Sequence, residues 1–250
     1  ETPARFQIDL FRYHLRQHGW LTFGICAVET YQAIYGAMRT GNWDTLRSQF
    51  RYYRESMPFY RYSARSQYGV DGAIMGYGQS TWTSKPPMPL SKVTRPATPK
   101  VADVAYNGEN PAGSLFMLSL MCDYADVSAD SSFAANILRP LAEDIMVYFN
   151  QLYPRNKNGK IVFEPCNAGE TWQFVKNPLE IACAFRMALS RLISVGEKHG
   201  WEKRTIKLWH EMLAAAPEIP RGRLKWDDSA CEVKPEVLPG DLLVPAEDMS

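Results

Sequence analysis

Three stretches of the chain carry carboxyl groups in settings suited to proton-transfer chemistry. The first is Asn167-Ala-Gly-Glu170-Thr-Trp172-Gln173, where Glu170 lies between the small Gly169 and an indole in a loop poor in charge. Apolar surroundings disfavour a carboxylate and raise its pKa, as a general acid working near neutral pH requires. A Glu in that place can equally brace the loop or cap a helix, and both readings stay open. Glu164 precedes Pro165 and suits a ligand contact or an ion pair with Arg155. Asp71, inside Tyr68-Gly-Val-Asp71-Gly, suits a base, a polar ligand contact or a plain turn. Trp82 and Trp172 offer flat faces for stacking or bulk for a core. Tyr68, Asn107 and Glu109 stand where they can reach a shared pocket, although helix-start chemistry also explains the last two. Asp227-Asp228 resembles a carboxylate pair, but adjacent side chains point apart, so a solvated turn is expected.

Other chemistries find no support. The sequence has no nucleophile elbow, no phosphate-binding P-loop and no dinucleotide fingerprint. Its five cysteines, at 26, 122, 166, 183 and 231, show no paired spacing, so free buried thiols are expected, with one disulfide left open. His14 and His18 share a helix face but have no third ligand near them in sequence. Neither a metal nor a cofactor is expected. Lys plus Arg is 28 against 27 Asp plus Glu, a net charge of +1, which excludes a polybasic nucleic-acid surface. No run of 18 apolar residues is present, so no membrane-spanning helix is expected.

The elements that must position these groups are helices. Residues 22–40 place apolar side chains at 25, 28, 31, 34, 35 and 38, a helical spacing ended by Gly41-Asn42. Asp44 opens a second helix reaching about Tyr62, which Pro58 kinks or breaks. The Arg51, Arg54, Arg61, Arg65 series on it reads as a solvated face or one packed against acidic neighbours. Four glycines and five prolines then make residues 66–105 a long loop, and such loops in compact domains usually carry function. A helix starting near Pro111 is apolar almost all round and therefore buried. Asp130 or Ser131 caps the next, which runs over 132–152 with Pro140 inside it. Residues 153–175 form a second loop, with a small hairpin signalled by Asn158-Gly159. Asn177-Pro178 opens a third helix pair, about 178–196 and 201–215, and the proline-bearing tail reads as loop or short strand. The pattern of hairpin, long loop, hairpin, long loop, hairpin gathers its loops on one face.

Three motifs carry a resemblance. The stretch from Tyr153 through Glu164, Glu170, Trp172 and Gln173 to Asn177-Pro178-Leu-Glu180 resembles the (α/α)6-toroid glycoside hydrolases. Within them it is most similar to a secreted glycosyl-hydrolase-like group related to the α-L-fucosidase and disaccharide-phosphorylase branches. Tyr31-Gln-Ala-Ile-Tyr-Gly-Ala-Met-Arg-Thr-Gly-Asn-Trp-Asp44 resembles the first inner helix of that group, and Tyr68 through Trp82 its pocket loop. The resemblance implies an all-α toroid of helical hairpins, and hydrolysis of an oligo- or polysaccharide by inversion with Glu170 as general acid. For that reaction the candidate sugar contacts are Trp172, Gln173, Glu164, Asp71, Trp82, Tyr68 and Asn107, and the resemblance implies an extracellular or periplasmic location. The six or seven helices in 1–250 make only part of a barrel of twelve. The chain also opens at Glu1 without an initiator Met, so it reads as an excerpt whose parent completes the barrel. Gly76-Tyr77 stands where the family carries Pro-Glu, which implies the alternative of a degenerate toroid that binds glycans or serves as a scaffold. A phosphorylase would need a phosphate pocket of Arg, Lys, His or Ser beside the acid, and the loops show no clear cluster of these.

Overall fold

The structure is a computed structural model that describes residues 34–75, 111–168, 172–227 and 232–248. Helical residues 34–39 end in a tight reversal at Gly41, whose φ of +67° favours glycine. There Asn42 N–H donates to Ala37 O at 2.9 Å and Gly41 N–H to Met38 O at 3.2 Å. Helix α1 (Trp43–Glu55) buries Leu46, Phe50 and Tyr53, one stripe of the expected period. The chain breaks at Ser56, and Pro58 falls in the first turn of α2 (Met57–Ser63), where its missing N–H costs nothing. A π-helical turn, Ala64–Tyr68, follows and closes at Gly69.

Helix α3 (Ala112–Ser128) is buried nearly all round as far as Ala125, as its composition requires. Asp130 caps the next helix by accepting from Phe133 N–H at 3.0 Å. That helix runs as α4 (Ser131–Phe133), a π-helical turn (Ala134–Leu138) and α5 (Arg139–Leu152). Pro140 has no N–H to return to the carbonyl of Asn136, and Arg54 Nε donates to that oxygen instead at 3.2 Å. Helix α6 (Leu179–Lys198) and helix α7 (Lys203–Ala214) form the last pair.

Contacts between repeats show how the pairs are arranged. Arg47 bonds Asp130, Arg54 bonds Asn136 O, and Arg61 bonds Asp144 at 2.6 Å, across sequence separations of 83, 82 and 83. A constant separation means that α1–α2 runs parallel to α4–α5. In a second layer, Arg191 pairs with Asp123 and Lys198 with Asp126, separations of 68 and 72, so α3 runs parallel to α6. Tyr35 also donates to Asp123, which brings residues 34–39 alongside α3. The result is an outer layer of α1–α2, α4–α5 and α7 around an inner layer of 34–39, α3 and α6. This is the architecture of part of an α/α toroid. The arginine face expected to be solvated or to meet acidic neighbours does the latter at Arg61 and Arg65, bonding Asp144 and Asp71.

The core lies between the layers. Many of the aromatics belong to it: Tyr148, Phe149, Tyr153, Phe163 and Phe185 form one cluster, with ring centroids 4.9 to 6.5 Å apart. Cys122 and Cys166 are buried thiols, Cys183 is an exposed one, and Cys26 and Cys231 lie outside the described residues. No helix among the described residues is long and apolar enough to cross a membrane.

The tail departs from the loop or short strand expected of it. Strands β3 (Arg221–Asp227) and β4 (Glu232–Leu243) make a long antiparallel ribbon in spite of Pro235 and Pro239. The register slips between Gly222 and Arg223 and again between Leu224 and Lys225. Both prolines fall in the extra residues of those slips, where no ladder N–H is needed.

Candidate functional site

Parallel inner helices make every junction of one kind fall at one end. Short turns, 40–42, 129–130 and 199–202, leave the C-terminal ends of the inner helices. The long connections 69–111 and 153–178 arrive at the N-terminal ends of α3 and α6. The expected loop face is therefore the N-terminal end of the inner layer.

The first connection is anchored through its backbone. Gly72 has φ +90° and packs so closely on α5 that a Cβ there would stand 2.4 Å from both Asp144 O and Tyr148 N. Ala73 N–H donates to Asp144 O at 3.0 Å. Ser114, fully buried in the first turn of α3, accepts from Met75 N–H and donates to Met75 O, each at 3.1 Å. Asp71 N–H donates to Gln151 Oε1 at 2.9 Å, and the Asp71 carboxylate is ion-paired with Arg65 at 2.9 Å, both side chains being exposed. Tyr68 is half-buried and meets Tyr148 edge-on at 5.4 Å.

The second connection begins with the expected small hairpin. Asn156 Oδ1 accepts from Asn158 N–H at 2.9 Å and Lys160 N–H at 3.0 Å, and Gly159 sits at φ +74°. Arg155 and Ile161 pair across this turn, and Ile161 and Phe163 plug the core. A second hairpin follows, β1 (Cys166–Ala168) with β2 (Trp172–Val175), Cys166 opposite Val175 and Ala168 opposite Trp172. Residues 169–171, with Glu170 at their centre, join these strands in sequence. Glu164 is exposed, at a cis peptide to Pro165. Arg155, which the sequence offers as an ion-pair partner, donates instead to Asn150 Oδ1 at 2.9 Å.

The base of the second hairpin holds polar residues that sequence reasoning passed over. Lys176 Nζ meets Glu247 Oε1 at 2.5 Å. That hydrogen bond, with the charges of Glu247, Glu164 and Asp248, holds the ammonium above its ordinary value against a partial desolvation. Asn177, 4% exposed and at φ +46°, donates its N–H to Phe163 O at 2.9 Å and accepts from Phe163 N–H at 2.8 Å through Oδ1. Its Nδ2 donates to Glu247. The Asn-Pro dipeptide signals only a helix start, and nothing local points to a partner 70 residues away.

Of the expected site residues, Asp71 and Glu164 lie on the two connections that reach the loop face, Tyr68 closes the π-helical turn just before the first of them, and Trp172 and Gln173 lie in the backbone of β2. Glu170, Trp82 and Asn107 lie outside the described residues. Among the described residues no group of three or more His, Cys, Asp or Glu is placed to hold a metal ion.

No protein-family model matches the sequence, and neither does any curated protein. Among solved structures it is similar to a putative kojibiose phosphorylase from the human microbiome, at 10% identity and a TM-score of 0.46. That match covers 72% of this chain and 23% of the other, so this chain spans about a quarter of the length of that protein.

Proposed function

We propose that the chain is part of a sugar-processing domain that cleaves glycosidic bonds in an oligo- or polysaccharide, with Glu170 as proton donor. One observation carries this reading. Both long connections reach the same end of a layer of parallel helices, and Glu170 falls, in sequence, between the two strands of the hairpin in the second. The motif resemblance of residues 153–180 supplies the chemistry. In an inverting reaction Glu170 protonates the leaving oxygen while a second carboxylate, roughly 6.5–9.5 Å away, activates water. Asp71, Glu164, Tyr68, Trp82, Asn107, Trp172 and Gln173 are the sugar contacts of this proposal. The parent chain completes the barrel and works outside the cytoplasm.

A second reading is a toroid that binds glycans without turnover. It is favoured by Gly76-Tyr77 in place of Pro-Glu and by the Arg65 ion pair that occupies Asp71. The test is sugar release from a panel of disaccharides and polysaccharides, with and without inorganic phosphate, by the wild type and Glu170→Gln. Loss of a general acid lowers the rate by about 10²–10⁴. Turnover that needs phosphate identifies a phosphorylase. Undiminished turnover by Glu170→Gln rejects the proton-donor role, and saturable binding without release from any substrate selects the second reading.

A further inference from the structure

We infer that residues 244–248 are a strap that positions the Glu170 hairpin, with Asn177 and Glu247 as the positioning residues. The inference rests on the reading of Glu170 as proton donor.

The tail returns to the loop face after the β3–β4 ribbon and lies along residues 175–179. Lys176 N–H donates to Asp248 O at 2.9 Å, and Glu247 N–H donates to Lys176 O at 2.9 Å, so the strap pairs antiparallel with Lys176, the residue after β2. Leu179 N–H, the first amide of α6 and one that no helical carbonyl can reach, donates to Pro245 O at 2.8 Å. Ala246 is fully buried and packs with Val175 of β2 and with Leu224 and Val237 of the ribbon. This small apolar cluster is separate from the main core and is made of hairpin, strap and ribbon alone.

Asn177 joins the strap to the other side of the hairpin. Its backbone N–H and its Oδ1 take up both polar groups of Phe163, which stands just before Glu164-Pro165 and the start of β1. Its Nδ2 is held by Glu247, whose other oxygen meets Lys176. The two chain segments entering and leaving the hairpin are thus tied at one point, and Glu247 orients the amide that ties them. Only Asn satisfies all three bonds in this orientation. Asp at 177 keeps the acceptor for Phe163 but sets a carboxylate against Glu247. Gln at 247 then restores a donor–acceptor pair with the roles reversed.

The test is peptide-resolved amide hydrogen exchange on the whole chain, with the C-terminal half of α6 as internal reference. Asn177→Asp and Glu247→Ala are expected to speed exchange in 161–177 by about tenfold or more, with the reference unchanged. The double variant Asn177→Asp/Glu247→Gln is expected to return it to within about twofold of wild type. On a substrate that the wild type cleaves, Asn177→Asp lowers kcat at nearly constant KM, and the double variant recovers it. Unchanged exchange in 161–177, an equal rise throughout the molecule, or no recovery in the double variant overturns the strap. Wild type inactive on every sugar, with exchange behaving as stated, removes the proton-donor reading and leaves the strap a device of the hairpin alone.

Discussion

Replacing Gly72 with alanine tests the anchoring of the first long connection. At φ +90° an L side chain is strained, which costs roughly 1–2 kcal/mol. The added methyl would also lie 2.4 Å from Asp144 O and 2.4 Å from Tyr148 N, backbone atoms of α5 that cannot swing aside. Relieving such an overlap costs about 1–3 kcal/mol more. Gly69 provides the control, since it has φ +71° but no atom of the described residues within 4 Å of its would-be Cβ. Gly69→Ala therefore carries the strain alone, reduced by up to about 1 kcal/mol of lost unfolded-state freedom. Urea unfolding followed by circular dichroism at constant m should place the Gly72→Ala midpoint well below that of Gly69→Ala, by a stability difference of about 1–3 kcal/mol. Equal midpoints would refute the close approach of this connection to α5. Its glycines would then be read as marks of flexibility near a ligand.

Three further outcomes follow from the same geometry. Ser114→Ala leaves the buried Met75 N–H without its acceptor and should lower stability by about 1–3 kcal/mol; a midpoint equal to wild type would contradict the pin between pocket loop and α3. Lys176 is raised above its ordinary 10.5 by its bond to Glu247, and by the charges of Glu247, Glu164 and Asp248. The folded chain therefore binds the proton more tightly than the unfolded one, so this stabilisation is whole below pH 10.5 and is lost as pH rises through the folded value. Unfolding across pH 9–12, which spans about 1.5 units on either side of the unperturbed lysine, should show a smaller alkaline loss in Lys176→Met than in wild type. Burial pushes the Cys122 thiol far up, whereas Cys183 is exposed and only raised by partial desolvation. Iodoacetamide at pH 8, about half a unit below the ordinary thiol value, should modify the Cys183 peptide in the native protein and reach those of Cys122 and Cys166 only in denaturant. Equal rates at Cys122 would contradict its place in the core.

Much of the architecture was legible because it rests on short-range rules. The helical stripe of Leu46, Phe50 and Tyr53, the all-apolar α3, the Asp130 cap, the Asn158-Gly159 turn and the break near Pro58 each depend on residues within one or two turns of one another. Glycine and proline density marked the second long connection and the described start of the first, and the alternation of hairpins with loops put them at one end before any contact was known. The arginines were legible as a face. Their partners were not, because Asp130, Asn136 and Asp144 lie about 80 residues away and are set by the register between repeats.

The ribbon was hidden because Pro235 and Pro239 count against a strand unless register slips take them out of the ladder, and slips are a property of the pair. The same limit applies at the candidate site. Residue types by themselves determined only that Glu170 is flanked by Gly169 and Trp172, and that a helix follows Asn177-Pro178. Only the tertiary structure decided that Asp71 is taken by Arg65, that Arg155 turns to Asn150, and that Asn177 is tied to Glu247. The physical reason is range. Helix periodicity, caps and turns are written in neighbouring residues, whereas an ion pair or a shared hydrogen bond depends on which distant segment packing brings within 3 Å.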